Sequence, residues 1–197
     1  MNAELKLSRT ACYIIFVAML SIAVMLPAVA QVETIDATAR GTSTELGKNI
    51  AIKVIISQFS TPEDTEVLKA AFLQGGNDKL VDALSKMKSH GRIQIPGTVG
   101  YDIAYAVTVP TLTGRKIRFV TNRRIAFGEA ARNTRSQAYN LTAGEFDMNE
   151  QDNNKSAGVL YPAAQLIINT DGALELALRR NPWQLTNIID WKPKGKE

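Results

Sequence analysis

Arginine is concentrated in one stretch of the chain, where its chemistry favours the recognition of anionic groups. Residues 115–135 carry seven cationic side chains and a single carboxylate, that of Glu129. A guanidinium group is planar and presents its N–H donors as a fork that fits carboxylate, sulfate or phosphate oxygens. The stretch therefore predicts a binding surface for an anionic ligand or an envelope glycan. We assign the following residues to this surface: Arg115, Arg118, Arg123 and Arg124.

A second interpretation of the same residues needs no ligand. On a β-strand, Lys116 and Arg118 share one face, while Ile117 and Phe119 share the other. The acidic residues of segment 145–152 follow closely in sequence and could pair with these cations across neighbouring strands. A charged strand face of this kind also protects a sheet edge against aggregation. The sequence leaves both interpretations open: a ligand surface, or a solvated face paired within the protein.

Residue types that carry nucleophilic or metal chemistry are scarce. His90 is the only histidine and Cys12 is the only cysteine. His90 follows a predicted helix, where a polar contact with the last helical carbonyl groups is the expected role. Zinc sites need three or four His, Cys or acidic ligands, and a serine nucleophile needs a histidine within reach. We therefore predict no catalytic triad, no metal site and no cofactor.

The acidic segment 147–152 has oxygen-bearing side chains at alternate positions, as calcium-binding loops do. Asp152, however, stands where an EF-hand loop needs glycine, and Gly158 stands where the loop needs its closing glutamate. We therefore interpret this segment as a solvated acidic loop.

Paired carboxylates leave glycoside hydrolysis as the one enzyme function that these residues allow. Glycoside hydrolysis requires only two carboxyl groups, about 5–10 Å apart, and no histidine. Glu129, Glu145 and Asp147 lie on or next to candidate β segments and could face a cleft. The alternative function is therefore a carboxylate-dependent hydrolase that acts on envelope or extracellular carbohydrate. A deep pocket holding two acids would distinguish it from a binding protein, which needs only exposed arginines on a shallow face.

Residues 1–30 predict export from the cytoplasm. Lys6 and Arg9 precede an apolar run over residues 11–30, which closes on Ala28-Val29-Ala30. A basic start, an apolar centre and small residues at the end are typical of a secretory signal peptide. We expect cleavage after Ala30, a secreted or periplasmic protein, and membrane contact only during export. An uncleaved membrane anchor is the alternative, since about 20 apolar residues can span a bilayer.

Residues 31–197 are expected to form one globular domain. Thr61-Pro62-Glu63-Asp64 predicts the start of a helix, Gly75-Gly76 ends it, and a second short helix follows. Elsewhere, apolar and polar residues alternate as in strands. The expected fold is α+β, a mostly antiparallel sheet of about 7–9 strands with an early helical hairpin packed on one face. The predicted strands cover 32–42, 48–59, 92–96, 101–109, 115–126, 137–148, 158–169, 173–179 and 183–191.

Three local patterns refine this expectation. The alternate residues from Tyr101 to Val109 are predicted to share one strand face. Trp183 and Trp191 also share a face if their strand is regular, and a core role is favoured over a sugar-binding one. The turn residues 169–172 predict a hairpin between the two strands that flank them.

The net charge of the whole chain, +4, is too small to predict a nucleic-acid partner. The sequence does not indicate an oligomeric state. Binding of an anionic ligand or glycan therefore remains the leading expectation for a partner.

Several stretches resemble a group of exported bacterial proteins of unknown function. They are residues 114–129, 136–149 and 161–169, with Asn181-Pro182-Trp183 and Ile189-Asp190-Trp191. The resemblance implies a bacterial host and an exported protein, and it implies no activity and no site residues. Together with the scarcity of catalytic groups, it leads us to expect an exported, soluble binding or interaction module rather than an enzyme.

Overall fold

The strands of the protein close into a barrel. The computed structural model describes residues 32–42, 46–123, 141–169, 174–176 and 182–191. Within these ranges it contains one α-helix, α1 (Pro62–Lys86), and a short 3₁₀ turn at Asn153–Lys155. The strands are β1 (Glu33–Arg40), β2 (Asn49–Ile56), β3 (Gly91–Gln94), β4 (Tyr101–Pro110), β5 (Gly114–Thr121), β6 (Leu141–Asn149), β7 (Ala157–Ala164), β8 (Leu166–Ile168), β9 (Leu174–Leu176) and β10 (Trp183–Asp190).

Eight strands pair around the closed barrel in the order β1-β10-β7-β6-β5-β4-β3-β2, while β8 and β9 form a separate two-stranded sheet. The pairings within the barrel are antiparallel. The expected α+β fold, a sheet with one face covered by helices, is therefore wrong. β1 closes the barrel by pairing with both β2 and β10. Residues alternate along a strand in the same way whether the sheet is open or closed, so the sequence pattern does not reveal closure.

The predicted helical hairpin is also wrong, because one helical element covers both predicted helices, but this element is interrupted at Gly75 and Gly76, where the sequence predicts the first helix to end. The backbone of α1 leaves the helical conformation only at Gly75 and Gly76, and φ at Gly76 is 63°. Glycine tolerates this left-handed region, which side chains disfavour. The two glycines therefore interrupt the helix locally.

Among the described residues, no helix is both long and apolar enough to cross a membrane.

α1 begins where the sequence predicts. The Thr61 hydroxyl accepts a hydrogen bond from the Asp64 N–H at 3.2 Å, and the Asp64 carboxylate accepts one from the Thr61 N–H at 2.8 Å. This capping box, with Pro62 in the first helical turn, satisfies N–H groups that would otherwise lack partners. The buried Leu68 and Leu80 of α1 then pack in a cluster with residues from the outer side of the barrel.

The barrel interior is filled by side chains. Phe119 on β5 and Phe146 on β6 stack with their ring centroids 6.0 Å apart. Trp183 on β10 belongs to the same buried cluster and is 1% exposed. A barrel of eight strands is just wide enough for its own side chains to fill it. These side chains therefore form a hydrophobic core inside the barrel.

A β-bulge divides β4 between two cores. The pairing of β4 with β5 shifts register between Ile103 and Tyr105. Tyr101 and Ile103 contact the barrel core, whereas Tyr105 and Val107 belong to the cluster beneath α1. The prediction that alternate residues from Tyr101 to Val109 share one face is therefore wrong. A bulge adds one residue to a strand and reverses the alternation beyond it.

A second irregularity separates the two tryptophans. The register of β1 with β10 shifts between Asp36 and Thr38. Trp183 points into the core, whereas Trp191, one residue beyond β10, is 57% exposed. The expected shared face is therefore wrong, and only Trp183 has the predicted core role.

Two predicted hairpins are confirmed where the structure describes them. β4 pairs with β5 in antiparallel register from Ile103↔Thr121 to Pro110↔Arg115. β8 pairs with β9, although the single strand predicted at 158–169 is divided into β7 and β8. Residues 170–172 of the predicted turn lie outside the described residues. Residues 1–30 also lie outside them, so the signal peptide, the cleavage after Ala30 and the domain at 31–197 stay predictions.

Gly144 on β6 makes room for the ring of Phe119. A Cβ added at Gly144 would overlap that ring, and both positions lie inside the barrel. We expect Gly144→Ala to lower the free energy of unfolding by about 1–3 kcal/mol, the usual cost of overpacking a core. Urea denaturation followed by far-ultraviolet circular dichroism measures this change. Adding Phe119→Leu should recover part of the loss, and an unchanged free energy in Gly144→Ala alone would contradict the described packing.

Candidate functional site

Arg115, the first of the predicted binding residues, lies inside one end of the barrel. It is on the same side of β5 as the buried Ile117, and its side chain is 16% exposed. Nη1 donates to one carboxylate oxygen of Glu33 at 2.8 Å, and Nη2 donates to the other. Nη2 also donates to Asp190 Oδ2 at 2.9 Å. The guanidinium fork of Arg115 is therefore occupied by groups of the protein itself.

The ion pair between Arg115 and Glu33 crosses the barrel interior, because β1 and β5 are opposite each other in the cyclic strand order. The side chains of Glu33 and Asp190 are 8% and 11% exposed, and Arg115 Nε lies 3.3 Å from Glu150 Oε1. Burial alone would lower the pKa of Arg115, but the hydrogen bonds and attraction of Glu33 and Asp190 raise it above its ordinary value. Arg115 therefore stays cationic and joins opposite walls of the barrel.

Lys116 and Arg118 lie on the outward side of β5 and pair with β6. Lys116 Nζ is 3.1 Å from Glu145 Oε1 and 3.3 Å from Asp147 Oδ2. Arg118 Nε donates to Glu145 Oε2 at 2.6 Å. Burial alone would raise the pKa of Glu145, but hydrogen bonds from Arg118 and Lys116 and their charges lower it. These residues form the internally paired charged face that the second interpretation predicts.

Arg123 has a different environment. It follows β5, its side chain is exposed, and its guanidinium carbon lies 5.2 Å from the centroid of the Tyr101 ring. No carboxylate among the described residues forms an ion pair with it. Stacking of this kind orients an arginine while its N–H edge stays accessible. Arg124, Arg132, Arg135 and Glu129 lie outside the described residues.

His90 is buried near the beginning of α1. Its Nε2 lies 3.8 Å from Asp64 Oδ2, and its side chain is 4% exposed. Its backbone N–H donates to the Ile103 carbonyl at 2.8 Å. The expected contact with the last carbonyl groups of the helix is therefore replaced by a position beside the helix N-terminal capping box. In the described ranges, no group of three or more His, Cys, Asp or Glu side chains is placed to hold a metal ion.

The acidic loop after β6 uses its oxygen atoms to hold its own backbone. Asn149 Oδ1 accepts hydrogen bonds from the N–H groups of Gln151 and Asp152 at 3.0 and 2.9 Å. Asp152 Oδ1 accepts one from the Asn154 N–H at 3.1 Å. These contacts are typical of side chains that stabilise turns. The loop geometry therefore agrees with the interpretation of a solvated loop.

A group of residues that the sequence pattern does not predict lies on the outer face of β10, β1 and β2. The Trp191 indole N–H donates to Asp36 Oδ2 at 2.8 Å, and Lys53 Nζ lies 3.3 Å from Asp36 Oδ1. Ile189 is 49% exposed beside them. The sequence offered no direct signal for this group, because the alternation assigned Ile189 and Trp191 to the same face as the buried Trp183.

The geometry defines a closed antiparallel barrel with a packed interior, a helix on its outer surface, and exposed groups at one end and on one face. No protein-family model, curated protein or solved structure matches this chain at a significant level. The resemblance to exported bacterial proteins therefore stays a prediction.

Proposed function

We propose that this protein is an exported, non-catalytic binding module that contacts an anionic ligand through Arg123, followed in the chain by Arg124. The observation that carries the proposal is the state of Arg123: exposed, stacked on Tyr101 and without a described carboxylate partner. Arg115 and Arg118 are excluded from the primary contact, because their donors are directed to carboxylates of the protein. The predicted arginine surface is thereby reduced to its C-terminal part.

The placement of Tyr101 supports this choice. Tyr101 packs against the barrel core, so the ring beneath Arg123 is anchored by buried contacts. An arginine fixed by stacking loses less conformational entropy when it binds sulfate, phosphate or carboxylate oxygens. The geometry therefore provides a donor that is both accessible and partly preorganised.

The distribution of charge between the two barrel ends gives further support. β1 and β5 run in the same direction, since an even number of antiparallel pairings separates them. The exposed Arg40, the last residue of β1, therefore lies at the same end as Arg123. The opposite end holds Glu33, Asp190 and Glu150 around Arg115. Two exposed arginines at one end attract an anion before contact is made.

Where the structure describes them, the carboxylates assigned to the hydrolase alternative lack the geometry and charge that this reaction needs. A general acid in glycoside hydrolysis needs a raised pKa, whereas the pKa of Glu145 is lowered by Arg118 and Lys116. Asp147 shares Lys116 with Glu145, and Glu129 lies outside the described residues. The export part of the proposal is supported by the composition of residues 1–30 alone.

We expect Arg123→Gln to weaken binding to dextran sulfate by about tenfold, the loss of roughly one charge-assisted hydrogen bond. The matched control is Arg92→Gln, which removes the same charge from an exposed arginine paired with Asp102 at 3.4 Å. Affinity is measured by titration calorimetry at a fixed salt concentration. Equal weakening in both variants would show that net charge alone is responsible, and an unchanged affinity in Arg123→Gln would contradict the proposed contact.

A further inference from the structure

We propose that the outer face formed by β10, β1 and β2 is a binding platform for a neutral pyranose glycan, with Trp191 as its stacking residue. This proposal is independent of the Arg123 contact, because it uses other strands and a ligand without charge. The face contains an exposed aromatic ring that is held in a defined orientation. Trp191 is 57% exposed, and its indole N–H is bonded to Asp36.

Strand register arranges the neighbours of Trp191 in two rows. In one row, the backbone N–H of Trp191 donates to the Thr34 carbonyl at 2.8 Å, and Thr34 pairs with Ile55. In the next row, Asp36 pairs with both Ile189 and Lys53 across the adjacent strands. Directly opposed residues on neighbouring strands lie about 4.5–5.5 Å apart. The face therefore presents an aromatic ring, aliphatic carbon, a hydroxyl group and an ion pair side by side.

The chemistry of this face fits a pyranose ring. A pyranose has flat faces of C–H groups and a rim of hydroxyl groups, so it needs an apolar plate bordered by hydrogen-bonding groups. The indole provides the plate, since its only N–H is already bonded to the protein. Asp36 and Lys53, with side chains 32% and 35% exposed, can accept and donate hydrogen bonds at the rim. Their charges cancel, which favours an uncharged ligand.

Two other occupants fit less well. A lipid surface would bring the Asp36–Lys53 pair into an apolar region, and a second copy of the chain would bury the same pair in an interface. Either event removes charges from water at a high desolvation cost. A sugar instead brings its own hydroxyl groups to both side chains. The Asp36–Lys53 ion pair therefore favours a glycan over a lipid surface or a second copy of the chain.

Fluorescence quenching tests the proposal in the unaltered protein. The chain contains only two tryptophans, and Trp183 is buried, so quenching by acrylamide reports mainly on Trp191. We expect cellohexaose at millimolar concentration to reduce this quenching, since a stacked sugar shields the indole. Chitohexaose and maltohexaose extend the test to other neutral linkages. If none of the three hexasaccharides protects Trp191, the proposal is overturned.

Variants test the role of the ring by retardation in native gels that contain hydroxyethylcellulose. Trp191→Ala should weaken retardation about tenfold or more, as expected for a central aromatic contact, while Trp191→Phe should retain most of it. Leu112→Ala is the matched control, because Leu112 is an apolar side chain that is fully exposed on the β4–β5 turn. Equal weakening in Leu112→Ala would overturn the proposal. So would a concentration-dependent dimer in sedimentation that Trp191→Ala abolishes, since the face would then be a contact between copies.

Discussion

Replacement of Arg115 by methionine should lower the free energy of unfolding by about 3–5 kcal/mol, the effect of removing one partner from a buried ion pair. Methionine occupies a similar length but offers no charge and no donors. Glu33 and Asp190, with side chains 8% and 11% exposed, would then keep their carboxylates inside the barrel without the cation that bonds them. Urea denaturation measures the difference.

The matched control is Arg118→Met, the same substitution on the outward side of the same strand. Arg118 is 50% exposed and pairs with Glu145, and exposed ion pairs contribute only about 0–1 kcal/mol. A double variant, Arg115→Met with Glu33→Leu, should recover part of the lost stability, because the uncompensated carboxylate of Glu33 is removed. If Arg115→Met unfolds at the normal urea concentration but no longer binds dextran sulfate, Arg115 is a ligand contact and its structural role is wrong.

Arg115 also shows how far the sequence could define the candidate site. Strand alternation places Arg115 with Ile117 and Phe119, so its inward direction could have been predicted from the residues. Its partners could not, because Glu33 and Asp190 are 82 and 75 residues away in the chain. Only the closed barrel brings β1 and β10 to face Arg115. Buried partners at such separations leave no local pattern.

Local signals were more informative where the interaction itself is local. The sequence predicts the pairing of Lys116 and Arg118 with acidic residues of β6 as one of two interpretations, since neighbouring strands bring such charges together. Its capping residues predict the helix start at Thr61. Both features depend on residues that are close in sequence or on adjacent strands.

Closure of the barrel and the β-bulges are the remaining features of the fold that the sequence pattern does not predict. The pairing of β1 with β10 involves residues about as far apart as the domain allows, and no alternation pattern indicates it. The register shifts in β4 and β10 each reverse the faces of the residues that follow. As a result, Tyr105 lies beneath α1 and Trp191 lies on the surface. The proposed glycan platform therefore depends on a feature that strict alternation conceals.

The two tryptophans give the second prediction of large effect. Trp183→Ala should lower the free energy of unfolding by about 3–5 kcal/mol, the range for removing a large aromatic side chain from a core. Trp183 is 1% exposed and packs in the same cluster as Phe119 and Phe146. The substitution would leave a cavity inside the barrel, between strands that are held in place by their pairing. The surrounding side chains should therefore fill it only in part.

Trp191→Ala is the matched control, since it removes the same side chain from the same strand region. Trp191 is 57% exposed and has one hydrogen bond from its indole, to Asp36, so its loss should cost about 1 kcal/mol or less. Guanidinium denaturation of both variants measures the contrast. Equal losses would mean that the two rings share one buried face, as regular alternation along β10 requires. The register shift between β1 and β10 would then be wrong, and the outward platform at Trp191 would be wrong with it.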